Sequence, residues 1–330
     1  MGFLMTNLRR WKFAGLLLTY QCEARCRTCY LCCGPDKGGL MPIDEALAYW
    51  RGLRRLAGDE APVHLAGGEP FLHWEHLLAL CRAARDAGLT PIEKIETNAY
   101  WCTNANRVRE RLADLKDCGL DMFVVSSDAF HQEFVPMDRV RLAVTIGRKI
   151  LGKSGVRVRW RDWYNSPTDV QGLLPHERTA FLVEAFKQGR DRKTGRAASQ
   201  LAPLLEGKPA EALGGWPCRK KLLGSRHVHI DPYGNVFSGV CTGIILGNAQ
   251  SPSLDKLWEH FSQTWPQRPV FRTLVEEGPV ALIDSAIRLG YEPLPGGYAG
   301  KCHLCTHVRE FLFHQNAFPD ELGPVECYSP

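Results

Sequence analysis

No stretch of this sequence is apolar over the length that a membrane-spanning helix requires. Hydrophobic residues make up 45% of the 330, but they come in short runs, whereas a spanning helix needs about 20 consecutive apolar residues. The opening segment also lacks the charged, apolar and small-residue order of a secretory signal. We therefore expect a cytoplasmic protein without a membrane partner.

A strong charge of one sign is absent as well. The formal net charge is +5, and no block of five or more Lys or Arg occurs. Nucleic-acid-binding domains carry a concentrated basic patch or stripe, so nucleic acid is not expected as the main partner. Internal repeats and low-complexity tracts are also missing, and a chain of this length can bury one large core together with a smaller appendage.

Cysteine, by contrast, is abundant, with 13 residues. Disulfides are rare in the reducing cytosol, so metal binding or redox chemistry explains this number better. Cys81 and Cys118 lie within helical patterns and Cys102 follows a strand pattern. These three are expected to be small core or surface residues and not ligands.

Three other cysteines, Cys22, Cys26 and Cys29, follow the apolar run 15–20 directly. A loop with C-x3-C-x2-C spacing can direct three sulfurs at one small object. An iron-sulfur cluster with one iron left free fits, because thiolates are the usual cluster ligands and a catalytic metal site keeps one position open. Buried free thiols and a zinc site are the other interpretations.

Strand and helix patterns alternate through the first half of the chain. The predicted strands cover residues 14–20, 62–66, 92–97, 122–126 and 156–160, and the predicted helices cover 42–57, 74–88, 104–118 and 139–151. Such alternation with short links indicates parallel strands joined by right-handed crossovers. With a weaker sixth element through residues 195–197, we predict an α/β fold, a partial (β/α)6 barrel with its site at the carboxyl ends of the strands.

The composition changes near residue 200. Residues 201–217 carry several Pro and Gly without a clear period, which marks a candidate boundary. Alternating residues at 227–230 and 235–238, joined by a turn, then predict a β-hairpin. We expect two domains, a barrel over residues 1–200 and a smaller cysteine-rich extension over residues 201–330.

Polar loops follow the second, third and fourth predicted strands. In Gly67-Gly-Glu-Pro70 the glycines allow close backbone approach to a ligand, Glu69 offers an acceptor for an ammonium group, and Pro70 stiffens the bend, although such a sequence alone could be any turn. Thr97 with Asn98, and Ser126 with Asp128, end the next two strands and could satisfy ribose hydroxyls or form ordinary polar turns.

The cysteine spacing and the Gly-Gly-Glu-Pro loop one strand-helix unit later resemble the radical S-adenosyl-L-methionine (SAM) superfamily. The resemblance implies that Cys22, Cys26 and Cys29 ligate a [4Fe-4S] cluster. It also implies that Gly67, Gly68, Glu69 and Pro70 bind the SAM amino group and that Ser126 and Asp128 contact its ribose. Thr97 and Asn98, from their position at the barrel mouth, are further cofactor-binding candidates. The family often has an aromatic residue before the third cysteine; here Thr28 stands there and Tyr30 follows the cysteine.

The fifth predicted strand and the loop after the fourth one supply further candidate site residues. Arg157, Arg159 and Arg161 alternate, which places all three on one strand face, and one of them, taken as Arg159, could bind the SAM carboxylate bidentately. His131, just after Asp128, is a candidate catalytic proton acceptor or substrate contact, although a lone loop histidine is more often polar packing.

A second group of cysteines lies in the extension. Its members are Cys218, Cys241, Cys302, Cys305 and Cys327, of which the C-x2-C pair alone would equally suggest zinc. Residues 230–258 resemble the SPASM and twitch extensions, which carry auxiliary [4Fe-4S] clusters. A SPASM set has seven cysteines and a twitch set four, so the resemblance implies one cluster on Cys218, Cys241, Cys302 and Cys305. Cys327 would be a spare or substitute ligand.

Cys32 and Cys33 lie just beyond the first cysteine motif. They are either free thiols that face away from the metal or thiols with a redox or substrate role.

The resemblance implies a reaction class. SAM would be cleaved reductively to a 5′-deoxyadenosyl radical, which takes a hydrogen atom from a small-molecule or peptide substrate. Electrons would come from a donor such as flavodoxin or ferredoxin, and an auxiliary cluster would favour net oxidation. Epimerisation and decarboxylation stay open. The alternative is a zinc- or cluster-bearing binding or regulatory protein without SAM chemistry, which has no reason to carry Gly67-Gly-Glu-Pro70.

The substrate class is open between a small molecule and a peptide. Only about 14 residues precede the first predicted strand, so we expect no separate peptide-recognition domain in front of the barrel. This favours a small molecule, or a peptide delivered by another protein.

Overall fold

The computed structural model of the chain describes residues 8–189 and 191–329. Its strands are β1 (Phe13–Leu17), β2 (Val63–Ala66), β3 (Ile92–Thr97), β4 (Leu120–Ser126), β5 (Val156–Arg159), β6 (His227–Ile230), β7 (Asn235–Ser238) and β8 (Cys241–Asn248). Residues 1–7 lie outside the described residues. The predicted first domain begins with them, and they form most of the opening segment that lacks a secretory signal pattern.

The helices alternate with the strands in the first half of the chain and dominate the second. They are α1 (Ile43–Ala57), α2 (Trp74–Asp86), α3 (Ala105–Asp117), α4 (Ala129–Gln132), α5 (Met137–Leu151), α6 (Arg161–Tyr164), α7 (Pro175–Gln188), α8 (Arg196–Gln200), α9 (Arg219–Leu222), α10 (Leu254–Thr264), α11 (Pro269–Glu276), α12 (Leu282–Ile287) and α13 (Lys301–His314). None of the helices in the described ranges is both long and apolar enough to cross a membrane.

All eight strands belong to one sheet with the order β5-β4-β3-β2-β1-β6-β7-β8. Every pair from β5 across to β6 is parallel, and β7 and β8 are antiparallel additions. The predicted α/β fold with six parallel barrel strands is therefore confirmed. Because parallel strands end at the same edge, the loops after β1 to β5 meet at one end of the sheet.

The position of the sixth parallel strand differs from the prediction. Residues 195–197, the predicted weak element, lead into α8, and Gly195 has a φ of 54°. The sixth strand is instead β6, which pairs with β1 on the side opposite β2. The Arg196 backbone N–H donates to the Cys29 carbonyl at 3.0 Å, so this segment packs on the cysteine loop and not on the sheet.

The predicted hairpin is confirmed by β6 and β7. Its turn places Gly234 at a φ of 79°, in the left-handed region that favours glycine. Residues beyond 200 thus continue the barrel sheet through β6. The division between residues 200 and 201 stays a prediction.

The core lies between the sheet and the helices that cover its outer face. All four residues of β2 are buried, as expected for a parallel strand enclosed on both sides. α1 has a single apolar stripe, and its buried side chains include Trp50 and Leu53. The helices thereby fix the strands, and the strand ends fix the loops that form the site.

Candidate active site

Cys22, Cys26 and Cys29 line one cavity of about 160 Å³ at the carboxyl end of the sheet. The cysteine loop, residues 22–34, is closed on itself because the Cys22 N–H donates to the Gly34 carbonyl at 3.1 Å and the Cys29 N–H donates to the Cys26 carbonyl at 3.0 Å. The predicted convergence of the three cysteines is therefore present.

Arg196, which was not identified from the sequence, holds the cysteine loop in place through hydrogen bonds to two of its carbonyls. Its guanidinium is 1% exposed and donates to the carbonyls of Cys26 at 2.8 Å and Cys33 at 2.7 Å. A Cβ at Gly195 would lie 2.5 Å from the Cys29 carbonyl oxygen, so glycine is needed for this approach. The sequence offered one indication, a glycine directly before an arginine. This pair has no motif spacing that would connect it to the cysteines.

The thiols of the loop differ in their electrostatic surroundings. Burial, followed by the neighbouring carboxylate of Glu23, raises the pKa of Cys22, and burial also raises the pKa of Cys26. A hydrogen bond with Cys33 and the charge of Arg196 outweigh burial at Cys29 and lower its pKa to about 6. A bound metal favours the thiolate form at all three positions.

The two glycines of Gly67-Gly-Glu-Pro70 line the same cavity. They are required by contact with residues 19–21, the segment that leads into the cysteine loop. A Cβ at Gly68 would overlap the Gln21 carbonyl, and one at Gly67 would lie 2.6 Å from the Thr19 carbonyl oxygen. The two loops therefore form one unit, which fixes the relative position of the cysteines and the Gly-Gly backbone.

Glu69 is fully buried and is not among the residues that line the cavity. Its carboxylate accepts from the Thr97 hydroxyl at 2.8 Å, the Asn98 N–H at 2.9 Å and the Phe71 N–H at 3.1 Å. Burial, followed by the charge of Glu23, raises the pKa of Glu69 to about 8. Glu69 thus ties its own loop, in which Pro70 is buried, to the end of β3. Its contact with the SAM ammonium stays a prediction.

The ends of β3 and β4 contribute Thr97, Asn98, Ser126 and Asp128 to the cavity. The Asn98 amide donates to Glu23 at 2.7 Å and lies 3.8 Å from the Cys22 sulfur. Hydrogen bonds to ligand sulfur are among the protein's means of tuning an iron-sulfur cluster. The predicted meeting of these strand ends with the cysteine loop is present.

Asp128 and His131 form a pair at the cavity wall. The Asp128 carboxylate caps α4 by accepting from the N–H groups of Phe130 and His131, and its second oxygen lies 2.6 Å from His131 Nδ1. Burial alone would lower the pKa of His131, but the Asp128 carboxylate, through its charge and hydrogen bond, raises it. His131 lines the cavity as predicted, with its imidazole oriented by the aspartate.

Of the three arginines, Arg159 lines the cavity. It donates to Glu96 at 2.8 Å. β5 ends at Arg159, and Trp160 then adopts a φ of 63°, so Arg161 begins α6 and is exposed. The expectation that all three arginines share one strand face is therefore wrong for Arg161, because the chain turns before reaching it.

A second cavity, of about 380 Å³, lies inside the barrel and is called here the interior cavity. It shares Tyr30, Glu96, Arg159 and Asp191 with the first cavity, so the two adjoin. Its other lining residues include the cations Lys94, Arg157 and Arg192 and the imidazoles His64, His227 and His229. The interior of this barrel is therefore polar, which periodicity in the strands did not indicate.

The four predicted auxiliary ligands Cys218, Cys241, Cys302 and Cys305 line a third cavity, of about 60 Å³. Cys218 precedes α9, Cys241 begins β8, and the C-x2-C pair lies on one face of the first turns of α13. Burial and then the charge of Cys305 raise the pKa of both Cys218 and Cys241, the latter to about 12. Four converging thiols fit an iron-sulfur cluster.

The remaining cysteines divide between the two sites. Cys33 lines the first cavity, and its N–H donates to the Cys29 sulfur at 3.4 Å. Cys32 is turned the other way, with its sulfur 3.9 Å from the carbonyl of Cys327. Cys327 also lines the third cavity. Cys81, Cys102 and Cys118 are buried core residues, as predicted.

The chain is similar to known proteins over this region. The model of the Radical SAM superfamily matches residues 16–159, while no curated protein sequence matches the chain. Solved structures that are similar to it include Streptococcus suis SuiB bound to S-adenosylmethionine, with 16% identity, a TM-score of 0.46, and coverage of 90% of this chain and 77% of that one.

Two other solved structures are similar at the same level. BtrN in complex with AdoMet and 2-DOIA has 15% identity and a TM-score of 0.44, with 81% of this chain and 88% of that chain covered. The enzyme anSMEcpe with AdoMet and the Cp18Cys peptide has 15% identity and a TM-score of 0.42, with 93% and 98% covered. The matched residues 16–159 contain the cysteine loop, the Gly-Gly-Glu-Pro loop and the ends of β3 to β5, so the part of the chain that forms the first cavity is similar to the Radical SAM superfamily.

Proposed function

We propose that the protein is a radical SAM enzyme that abstracts a hydrogen atom from a small-molecule or peptide substrate, with net oxidation through an auxiliary cluster. The observation that carries this proposal is the lining of the first cavity. Cys22, Cys26 and Cys29, the Gly67 and Gly68 backbone, and polar groups from the ends of β3 and β4 all border one space. A structural metal site has no need of such polar groups beside its thiols.

The residues at the first cavity fit a [4Fe-4S] cluster and SAM. Cys22, Cys26 and Cys29 would hold three irons, and the absence of a fourth cysteine in the motif leaves a position for SAM. When bound, the two groups supply reductive cleavage of SAM to a 5′-deoxyadenosyl radical. The residues that would position SAM are Gly67, Gly68, Glu69, Pro70, Thr97, Asn98, Ser126, Asp128 and Arg159.

The interior cavity supports a small or locally extended polar substrate. Its volume of about 380 Å³ lies in the lower part of the 300–1,000 Å³ range of small-molecule sites. Lys94 and Arg157 supply cations, and Asp191, whose pKa is raised to about 6 by burial, supplies a carboxyl group. His131, oriented by Asp128, lines the adjoining first cavity and would accept a proton from a substrate that extends into it.

The net oxidative outcome rests on the third cavity. Cys218, Cys241, Cys302 and Cys305 would ligate a second [4Fe-4S] cluster. Tyr30, in the cysteine loop, borders both this cavity and the first one. A cluster held by these four cysteines would supply an electron acceptor for the oxidation, and flavodoxin or ferredoxin would be the external electron donor.

A reducing compartment suits these sites. All 13 cysteines are free, and free thiols persist in the cytoplasm. We therefore propose a cytoplasmic location.

The decisive experiment is anaerobic incubation of the reconstituted protein with SAM and dithionite, followed by measurement of 5′-deoxyadenosine. The wild-type chain and a Cys118→Ala control, altered at a core cysteine far along the sequence from either motif, should both form it. A Cys22→Ala, Cys26→Ala, Cys29→Ala variant should not. A colourless protein that binds zinc and forms no 5′-deoxyadenosine would favour a binding or regulatory protein instead.

A further inference from the structure

We propose that His64, His227 and His229 form a binding site for a divalent transition metal ion, with zinc as the reference ion, on the wall of the interior cavity. This site is separate from both cysteine groups and does not depend on SAM cleavage. The proposal rests on strand register, on the glycines that make room for the imidazoles, and on ring nitrogens that lack partners.

The strand register brings the three imidazoles together. Gly15 in β1 pairs with His64 of β2 on one side and with His229 of β6 on the other. His227 lies two residues before His229, on the same face of β6. One ligand nitrogen from each ring lies within 4.8 Å of those of the other two. Two nitrogens on one tetrahedral zinc lie about 3.3 Å apart, so small side-chain rotations would close the site.

Two glycines leave the space that the imidazoles occupy. A Cβ on Gly15 would overlap the His64 ring at Nε2 and would lie 2.6 Å from Cδ2 of His229. A Cβ on Gly239 would overlap the His227 ring. Any other residue at position 15 would therefore require the rings of His64 and His229 to move from these positions. Gly15 has no positive φ that would otherwise require glycine.

Each ring also has a buried nitrogen without a hydrogen-bond partner among the described residues. These atoms are Nδ1 of His64, Nε2 of His227 and Nδ1 of His229. Buried polar atoms are nearly always satisfied, and an unsatisfied group requires an explanation such as an ion. A metal ion bound among the rings would account for the unsatisfied nitrogens of His227 and His229, whereas Nδ1 of His64 faces Glu93.

Glu93 is placed to accept a hydrogen bond from the second ring nitrogen of His64, as carboxylates beside metal-binding histidines usually do. Its Oε2 lies 3.7 Å from His64 Nδ1 and is itself buried without a hydrogen bond in the described part of the chain. Ligating histidines commonly donate their second ring N–H to a carboxylate. Contact of Nδ1 with Glu93 would leave Nε2 of His64, the atom over Gly15, as the ligand.

The donor set defines the kind of ion. Imidazole suits zinc, copper, iron and nickel, whereas magnesium and calcium require oxygen donors. Three histidines with a fourth position left open are the arrangement of catalytic zinc sites. Because all three histidines line the interior cavity, the fourth position would take water or an oxygen donor of a molecule in that cavity.

The test uses the full chain with its iron-sulfur clusters reconstituted, so that cysteines are occupied. Zinc is titrated and counted per chain by mass spectrometry, and cobalt is used as a spectroscopic substitute. We expect one zinc per chain in the wild type. Glu93→Gln should weaken zinc binding by about 10- to 100-fold, the usual effect of losing a residue that hydrogen-bonds a metal ligand. His64→Gln and His229→Gln each remove a ligand itself, so each should weaken zinc binding by more than about 100-fold.

His176→Gln, at an exposed histidine of α7, is the matched control and should bind zinc like the wild type. Gly15→Ala tests the cradle without removing a ligand and should also abolish tight binding. Iron content verifies that each variant retains its fold. Zinc affinity unchanged in both histidine variants, or a cobalt spectrum dominated by thiolate charge transfer, would overturn the site.

Discussion

The two cysteine-lined cavities differ in what surrounds their thiols. Beside Cys22, Cys26 and Cys29 lie polar backbone and side-chain groups from four strand ends. The auxiliary cysteines are bordered by aliphatic side chains such as Leu222, Ile244 and Leu274, together with the cations Lys301 and Arg309 and, among the described residues, no carboxylate. The first cavity, of about 160 Å³, has room for a polar molecule next to its thiols, whereas the auxiliary cavity, of about 60 Å³, has much less space. This difference is the one expected if the first site performs the chemistry and the second holds a cluster with a complete set of cysteine ligands.

The largest effect should come from the first cavity. Replacing Cys22, Cys26 and Cys29 by Ala should abolish 5′-deoxyadenosine formation, because Cys33, the remaining thiol of that cavity, cannot hold a cluster alone. About four irons per chain should remain, since the auxiliary thiols make one complete ligand set. Iron analysis and Mössbauer spectroscopy of the anaerobic protein test both points. Retained SAM cleavage would contradict the assignment.

Removal of the auxiliary thiols should have the opposite effect. A variant with Cys218, Cys241, Cys302 and Cys305 replaced by Ala should still form 5′-deoxyadenosine, because the first cavity does not use these residues. It should lose the oxidised product of the substrate. Zinc instead of iron at this site after anaerobic reconstitution of the wild type would reject the auxiliary cluster, and the comparison between the cavities would then concern one cluster and one structural metal.

A smaller effect is expected at Glu69. Glu69→Ala removes a carboxylate that accepts from Thr97 and Asn98. If that carboxylate also accepts from the SAM ammonium, a charge-assisted contact that contributes about 1.5 to 3 kcal/mol, SAM affinity should fall about 10- to 150-fold, while iron content stays unchanged. Calorimetric titration with SAM measures this.

Glu69→Gln distinguishes the two possible roles of that carboxylate. Glutamine keeps the acceptor for the Asn98 N–H but removes the negative charge. Equal losses with Ala and Gln would indicate direct contact with the SAM ammonium, and a much smaller loss with Gln would indicate that Glu69 only positions the end of β3. Unchanged affinity in both variants would make the loop purely structural.

The fold was predictable where local patterns determine it. The strands β1 to β5 and four of the five helices between them (α1, α2, α3 and α5) follow from apolar periodicity, and the strand ends follow from the loops that close them. The pairing of β6 with β1 could not be predicted from local patterns. It joins residues more than 200 positions apart in the chain, such as Phe13 and His227. Periodicity could not indicate it, and the weak pattern at residues 195–197 suggested a strand instead.

The candidate site shows the same division. Motif spacing predicted which cysteines converge, but not Arg196, whose role depends on packing against carbonyls about 165 residues earlier. The histidines of the interior cavity were also missed. His227 and His229 were assigned only to a hairpin, because a sequence does not reveal that a third histidine, His64, lies across one intervening strand.

The smallest effect on iron content is expected at Cys327. This thiol borders the auxiliary cavity but is not one of its four predicted ligands, so its replacement tests whether that ligand set is complete. Burial and then the charge of Cys32 raise the pKa of Cys327, whereas Cys305 is the charged neighbour that most affects Cys218, Cys241 and Cys302.

The Cys327 sulfur also lies 3.9 Å from the Tyr20 hydroxyl, on the side of the cysteine loop. We therefore expect Cys327→Ser, made in the variant that lacks Cys22, Cys26 and Cys29, to leave about four irons per chain. Cys305→Ser in the same background is the matched comparison and should lose iron. Equal iron loss in the two serine variants would make Cys327 a ligand, and the auxiliary site would then have five competing thiols in place of a closed set of four.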